Sequence, residues 1–152
     1  MPHLIPASVH RAVLRLAHAL RKCWWRLTKP LLFGCRVLAL DGAGNLLLIR
    51  HSYGSDKWTL PGGGMARGED ALDAARREFS EETGARLAHA RLIAVHDEPL
   101  FGATNRVHVV AGRIEGQPRA DGREIAVLGC FERDALPSPL ASSLSARLDE
   151  WL

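Results

Sequence analysis

The first 30 residues contain no Asp or Glu, although Arg11, Arg15, Arg21, Lys22, Arg26 and Lys29 all fall there. Those six cations exceed the whole chain's net charge of +3, so the remainder is slightly acidic. The basic balance therefore describes this segment alone and says nothing about a partner of the rest. Long hydrophobic runs are also missing. No stretch approaches the ~18 uncharged apolar residues of a spanning helix. Arg and Lys interrupt every apolar run near the N-terminus, which argues against a secretory leader and makes the cytoplasm the expected location. Cysteine is scarce. Cys23, Cys35 and Cys130 have neither paired nor metal-ligand spacing, which excludes a disulfide framework and a zinc site. They read as small buried hydrophobes in a reducing compartment. Repeats, low-complexity tracts and interdomain linkers are absent as well. The 152 residues, 47% hydrophobic and 24% charged, suit a single globular domain with an ordinary core.

Residues 8–28 read as an amphipathic helix. At about 100° per residue, Val9, Val13, Leu16, Leu20, Cys23, Trp24 and Leu27 share one stripe roughly 100° wide. His10, Arg11, Arg15, His18, Arg21, Lys22 and Arg26 take the other side. Lys29-Pro30 closes the helix, because the residue before a proline avoids the helical region. Such a stripe usually packs on its own domain or on a second subunit; contact with an anionic membrane surface is the next reading, and nucleic-acid contact the last.

From residue 34 the pattern becomes one of strands. Residues 36–40 and 46–52 flank the turn-rich Asp41-Gly42-Ala43-Gly44-Asn45 and read as a hairpin. Further strands are expected over 87–95, 106–114 and 125–131, with an irregular loop at 97–105 and a final helix over 142–152. The glycines of residues 62–64 read as a loop, and Asp70 is a good N-cap for a helix that Gly84 would end in a left-handed cap. Leu72, Ala75 and Phe79 are expected to face the core, with Ala71 and Ala74 beside a carboxylate face. Helices distributed among strands in this order suggest a mixed sheet covered on both sides.

That carboxylate face is the most informative feature of the chain. Glu78, Glu81 and Glu82 stand at i, i+3 and i+4 of the expected helix, so all three project from one side. Like charges at this spacing weaken a helix by a few tenths of a kcal/mol per pair, so stability does not select them. A hard divalent cation does, since Mg²⁺ takes carboxylate oxygens, waters and substrate phosphates together. The plainer reading is a solvated acidic helix face. Gly63, five residues, Glu69, seven residues, then Arg77-Glu78-Phe79-Ser80-Glu81-Glu82-Thr83-Gly84-Ala85 resembles the Nudix hydrolase signature at every defined position, with Phe79 and Ala85 in its apolar slots.

The resemblance covers residues 34–152 and leaves residues 1–33 as a basic amphipathic extension. It implies an α/β fold of the Nudix α/β/α sandwich type with a mixed sheet. It also implies hydrolysis of a phosphoanhydride bond in a nucleoside di- or triphosphate derivative by a water activated on Mg²⁺, or on Mn²⁺. In that family Glu81 and Glu82 would be metal ligands, Glu78 a ligand or base, and the Gly62 carbonyl a further ligand. Arg77 would orient a carboxylate, and Glu69 would tie the glycine loop to the helix. Glu124, ahead of the apolar Ile125-Ala126-Val127-Leu128, resembles a later glutamate that serves as ligand or general base, with Glu98 and Asp97 as rivals. Arg50 and His51 end a strand running toward the glycine loop, where they either meet a phosphate or lie in solvent. Trp58 either stacks a base or packs. The tyrosine of dinucleoside polyphosphate hydrolases has no counterpart, Tyr53 being the only tyrosine. The expected partner is a small nucleotide or nucleotide derivative, with no stable nucleic-acid partner and with membrane contact or homodimerisation through residues 8–28. The competing function is a catalytically inactive Nudix-like nucleotide-binding module.

Overall fold

The computed structural model describes residues 7–152. Its elements are α1 (Ala7–Thr28), β1 (Leu31–Leu40), β2 (Leu46–His51), β3 (Gly62–Gly64), α2 (Ala71–Thr83), β4 (Arg86–Leu100), β5 (Ala103–Glu115) and β6 (Ile125–Phe131). A 3-10 turn at Arg133–Ala135 and two short helices, α3 (Ser142–Ser145) and α4 (Leu148–Trp151), complete the chain.

The six strands form one mixed sheet in the order β4-β5-β1-β2-β6, with β3 also on β1. β1 runs parallel to β5 along its whole length, and the other pairs are antiparallel. Both faces of the sheet are covered, which is why the central strands β1 and β2 read as nearly continuous apolar runs. On one face Ala74, Ala75 and Phe79 of α2 pack with Val37, Leu47, Ile49 and Val110. On the other, Leu144, Leu148 and Trp151 cover Leu38, Leu46 and Leu48. The result is an α/β/α sandwich. β1 meets β2 at Leu40 and Leu46, and near its other end the same edge is taken by β3, at residues 34–36. Arg36 of β1, His51 of β2 and all of β3 line one cleft.

α2 begins and ends as its sequence requires. The Asp70 side chain accepts from the Leu72 and Asp73 N–H groups at 2.9 and 3.2 Å. Gly84, at φ +70°, donates its N–H to the Ser80 carbonyl. Asp70→Ala should therefore lower stability by about 1 kcal/mol, read from urea unfolding, without changing the denaturant slope.

Several expectations are corrected. β1 starts at Leu31 because it has a full-length partner in β5. The expected loop at 97–105 is instead a hairpin: Asp97 pairs with Arg106 and Leu100 with Ala103, and only Phe101 and Gly102 turn, both at positive φ. Pro99 is accommodated because β4 is an edge strand, where a missing N–H costs no ladder bond. The glycine triplet is a short strand. The final helix is two separate turns. Ala74 is fully buried, so the side of α2 next to the carboxylates lies against the sheet. As expected, α1 stops before Lys29-Pro30, with Lys29 leaving the helix at φ +46°. All three cysteines are free, but Cys35 alone is buried while Cys23 and Cys130 are exposed. No helix among the described residues is long and apolar enough to cross a membrane.

Candidate active site

Backbone without side chains brings the glycine strand against α2. Gly62 has φ +149°, and a Cβ there would lie 2.1 Å from the Cys35 carbonyl oxygen. Only glycine lets β3 approach β1 this closely. At Gly63 a Cβ would lie 2.5 Å from Glu78 Oε2. The Gly62 N–H donates to Glu82 Oε2 at 2.8 Å.

Burial sets the electrostatics. Glu82 is only 8% exposed. Burial pushes its carboxyl up to about 8, against the Gly62 hydrogen bond and the Arg36 charge and with the help of the Glu78 and Glu124 charges. Glu78 is half-buried and is also raised, chiefly by burial, although Arg77 holds it down in part.

Arg77 ties three groups together. Its Nε and Nη2 donate to Glu69 Oε1 and Oε2 at 3.0 and 3.1 Å, a bidentate pair. Nη1 donates to Glu78 Oε1 at 2.8 Å, and Nη2 also reaches the Gly64 carbonyl at 3.1 Å. Glu69 Oε2 accepts in addition from the Ala66 N–H at 2.8 Å, and Arg77 holds the Glu69 carboxyl below its ordinary range. One guanidinium thereby fixes the glycine strand, the loop before α2 and the carboxylate of Glu78.

Around these groups lies a cleft of about 770 Å³. Glu78, Glu82, Glu98 and Glu124 line it together with Arg36, His51, Tyr53 and Lys57. The loop carrying Glu124 is held by Asp121, whose Oδ1 accepts from the N–H groups of Arg123, Glu124 and Ile125 at 2.8, 3.0 and 3.0 Å. The Ser52 N–H donates to the Glu124 carbonyl at 2.9 Å, joining that loop to the end of β2. Burial pushes His51 down, with the Arg36 charge adding to the effect. α1 supplies His18, Arg21 and Trp25 to the same cleft.

A family model of the NUDIX domain matches residues 31–152. The chain belongs to the Nudix hydrolase family. It is 37% identical over 119 residues, 78% of each chain, to a protein of Bacillus subtilis named a putative 8-oxo-dGTP diphosphatase. A shorter match, 36% over 59 residues, covers 39% of this chain and 34% of an RNA pyrophosphohydrolase of Teredinibacter turnerae. Among solved structures, the MutT Nudix hydrolase of Burkholderia pseudomallei superposes with a TM-score of 0.73 at 29% identity, over 80% of this chain and 98% of that one.

In this Nudix chain the residues expected at the site are not all gathered. Gly62, Glu78, Glu82, Glu124 and His51 line the cleft, with Arg77 directly behind Glu78. Glu81 does not. Its side chain is 61% exposed, and Arg77 Nη1 stands 3.6 Å away. Three carboxylates at i, i+3 and i+4 span an arc, and the sheet covers the Glu78–Glu82 side of it. Among the described residues no three His, Cys, Asp or Glu side chains are drawn close enough to enclose an ion. Mutual repulsion and the hold of Arg77 on Glu78 and Glu81 account for that spread. Arg50 and Trp58 are also elsewhere. Trp58 packs edge-on to Phe131 at 5.2 Å, and the Arg50 guanidinium lies over its ring at 5.5 Å. Asp97 and Glu98 both line the cleft, but Asp97 is engaged by Arg106 at 2.9 and 3.1 Å, whereas Glu98 has His96 Nε2 at 3.5 Å.

Sequence reasoning missed Arg36, Lys57 and the residues of α1. Arg36 had left a signal, a single cation inside the apolar run of β1. The contribution of α1 had none, because it depends on where the helix docks.

Proposed function

We propose that this Nudix hydrolase is an Mg²⁺-dependent pyrophosphohydrolase of a nucleoside triphosphate or nucleoside diphosphate derivative. The observation that carries this reading is Glu82, a carboxyl held raised by burial against Gly62, with Glu78 beside it and the Arg36 charge acting on it. The donor set fits a hard divalent cation, because it consists of carboxylate oxygens at a place where side-chain-free backbone leaves room. Glu78, Glu82 and the Gly62 carbonyl would hold the cation, with Glu81 reached by rotation of an exposed side chain. Bound there, Mg²⁺ neutralises phosphate charge and makes water a better nucleophile.

The chain's own residues do the rest. Arg36 and Lys57 meet the phosphates, and Arg21 reaches the cleft from α1. Arg77 keeps Glu78 in one orientation by anchoring it to Glu69. Glu124, on a loop fixed by Asp121, takes the proton of the attacking water, with Glu98 as the other cleft carboxylate in reach of that role. The water oxygen bonds to phosphorus as the bridging P–O bond breaks, and the leaving phosphate keeps the electron pair. The name of the Bacillus subtilis relative favours a nucleoside triphosphate among these substrates.

A panel of nucleoside triphosphates, nucleotide sugars and dinucleotides, assayed for phosphate or pyrophosphate release with Mg²⁺ and with EDTA, tests this function. Turnover of at least one compound that EDTA abolishes is expected. Tight nucleotide binding without turnover would establish the inactive binding module instead. Arg21→Ala should raise KM for the substrate so found about tenfold and leave kcat nearly unchanged, since it removes one phosphate contact and no ligand.

A further inference from the structure

The apolar stripe of α1 faces away from the domain. Val9, Val13, Leu16, Leu20, Trp24 and Leu27 are between 49% and 78% exposed. The helix rests on the body through its opposite side, where His10, Leu14, His18, Lys22 and Trp25 recur at three- and four-residue intervals and are partly covered. Lys22 Nζ lies 4.1 Å from the centre of the Phe101 ring, and His18 meets the same ring edge-on at 5.5 Å. The stripe is thus free while the helix is seated, which reverses the expectation that it packs on the domain. A row of large apolar side chains in water marks a surface that something else covers.

Charge says what covers it. On the helical wheel Arg15 and Arg26 border the stripe on one side and Arg21 on the other. No Asp or Glu occurs anywhere in α1. A second copy docking stripe to stripe would set these arginines against like charges, with no carboxylate in either helix to pair them. A surface that is itself anionic supplies the partner the helix lacks. Beyond the hydrolase reading, and independently of it, we propose that α1 seats this protein on an anionic lipid surface. The stripe enters the boundary between headgroups and acyl chains, Trp24 sits at headgroup level, and Arg15 and Arg26 reach lipid phosphates.

Co-sedimentation of the full chain with phosphatidylcholine vesicles, with or without phosphatidylglycerol, tests this. Partition to the anionic vesicles should be at least about tenfold stronger than to the neutral ones and should fall at high salt. Leu16→Glu with Leu20→Glu should abolish it at an unchanged melting temperature, since both side chains are 64% exposed and leave no cavity. Arg15→Glu with Arg26→Glu should cut partition to anionic vesicles by about tenfold or more while leaving the stripe intact. Equal partition to both vesicle types, or none to either, overturns the proposal. So does a dimer that the leucine pair converts to a monomer, which would assign the stripe to a second copy. Substrate hydrolysis without vesicles is not a readout here, so failure of the lipid assignment and failure of the proposed activity remain distinguishable.

Discussion

Glu82→Gln should slow hydrolysis by about two to three orders of magnitude, the usual effect of deleting one preorganised charged group from a site, and should leave the protein folded. The amide keeps the shape of the side chain and can still accept from the Gly62 N–H, so the loss falls on the charge offered to the cation. In EDTA the same variant should change the pH dependence of stability. The folded carboxyl lies at about 8 and the ordinary value is 4.5, so the folded state holds an extra proton between those limits. Stability is then fully present below pH 4.5 and falls as pH rises toward 8. The integrated loss is on the order of 5 kcal/mol. Thermal melts of the wild type in EDTA should show that decline, with a smaller addition of the same sign from Glu78, and Glu82→Gln should flatten most of it. Mg²⁺ should flatten it too, because a ligand carboxylate is held ionised. Near-normal activity of the variant, or no change in slope, would remove Glu82 from the site.

Gly62→Ala and Gly63→Ala should fail in different ways, although the two residues are neighbours. At Gly62 the new methyl would meet the Cys35 carbonyl at 2.1 Å, and φ +149° is closed to alanine. Backbone must move in the middle of the sheet, so a loss of about 3 kcal/mol or more is expected, seen as a fall in the unfolding midpoint. At Gly63 the clash is with the end of the Glu78 side chain, at 2.5–2.7 Å. That carboxylate can rotate away, so stability should drop by no more than about 1 kcal/mol, while activity collapses because Glu78 leaves the cleft. Wild-type stability in the first variant would refute the close approach of β3 to β1. Wild-type turnover in the second would show that Glu78 has no fixed role.

The carboxylate helix was legible because everything that defines it is local. Asp70 and Gly84 cap it through their own conformational preferences, and the glutamate spacing follows from 3.6 residues per turn. The hairpin at residues 97–105 was not legible, since what makes it one is the pairing of β4 with β5 at the edge of the sheet. Trp58 and Arg50 were ambiguous for the same reason. An aromatic near a turn stacks or packs according to what the tertiary fold sets beside it, and here Phe131 does.

By itself, then, the sequence determined the family, the capped helix, the glycines that tolerate no Cβ and the amphipathic character of residues 8–28, all properties that neighbours along the chain encode. Tertiary structure alone decided which carboxylates are buried, since Glu82 lies under the sheet and Glu81 in solvent only three and four residues from Glu78. It alone brought Arg36, Glu98 and Glu124 around them from separate strands and loops. It also turned the side of α1 that carries His18, Lys22 and Trp25 onto the domain and its apolar stripe outward. Helical periodicity defines two faces of a helix, but which of them finds a partner depends on the shape and charge of the surface it meets.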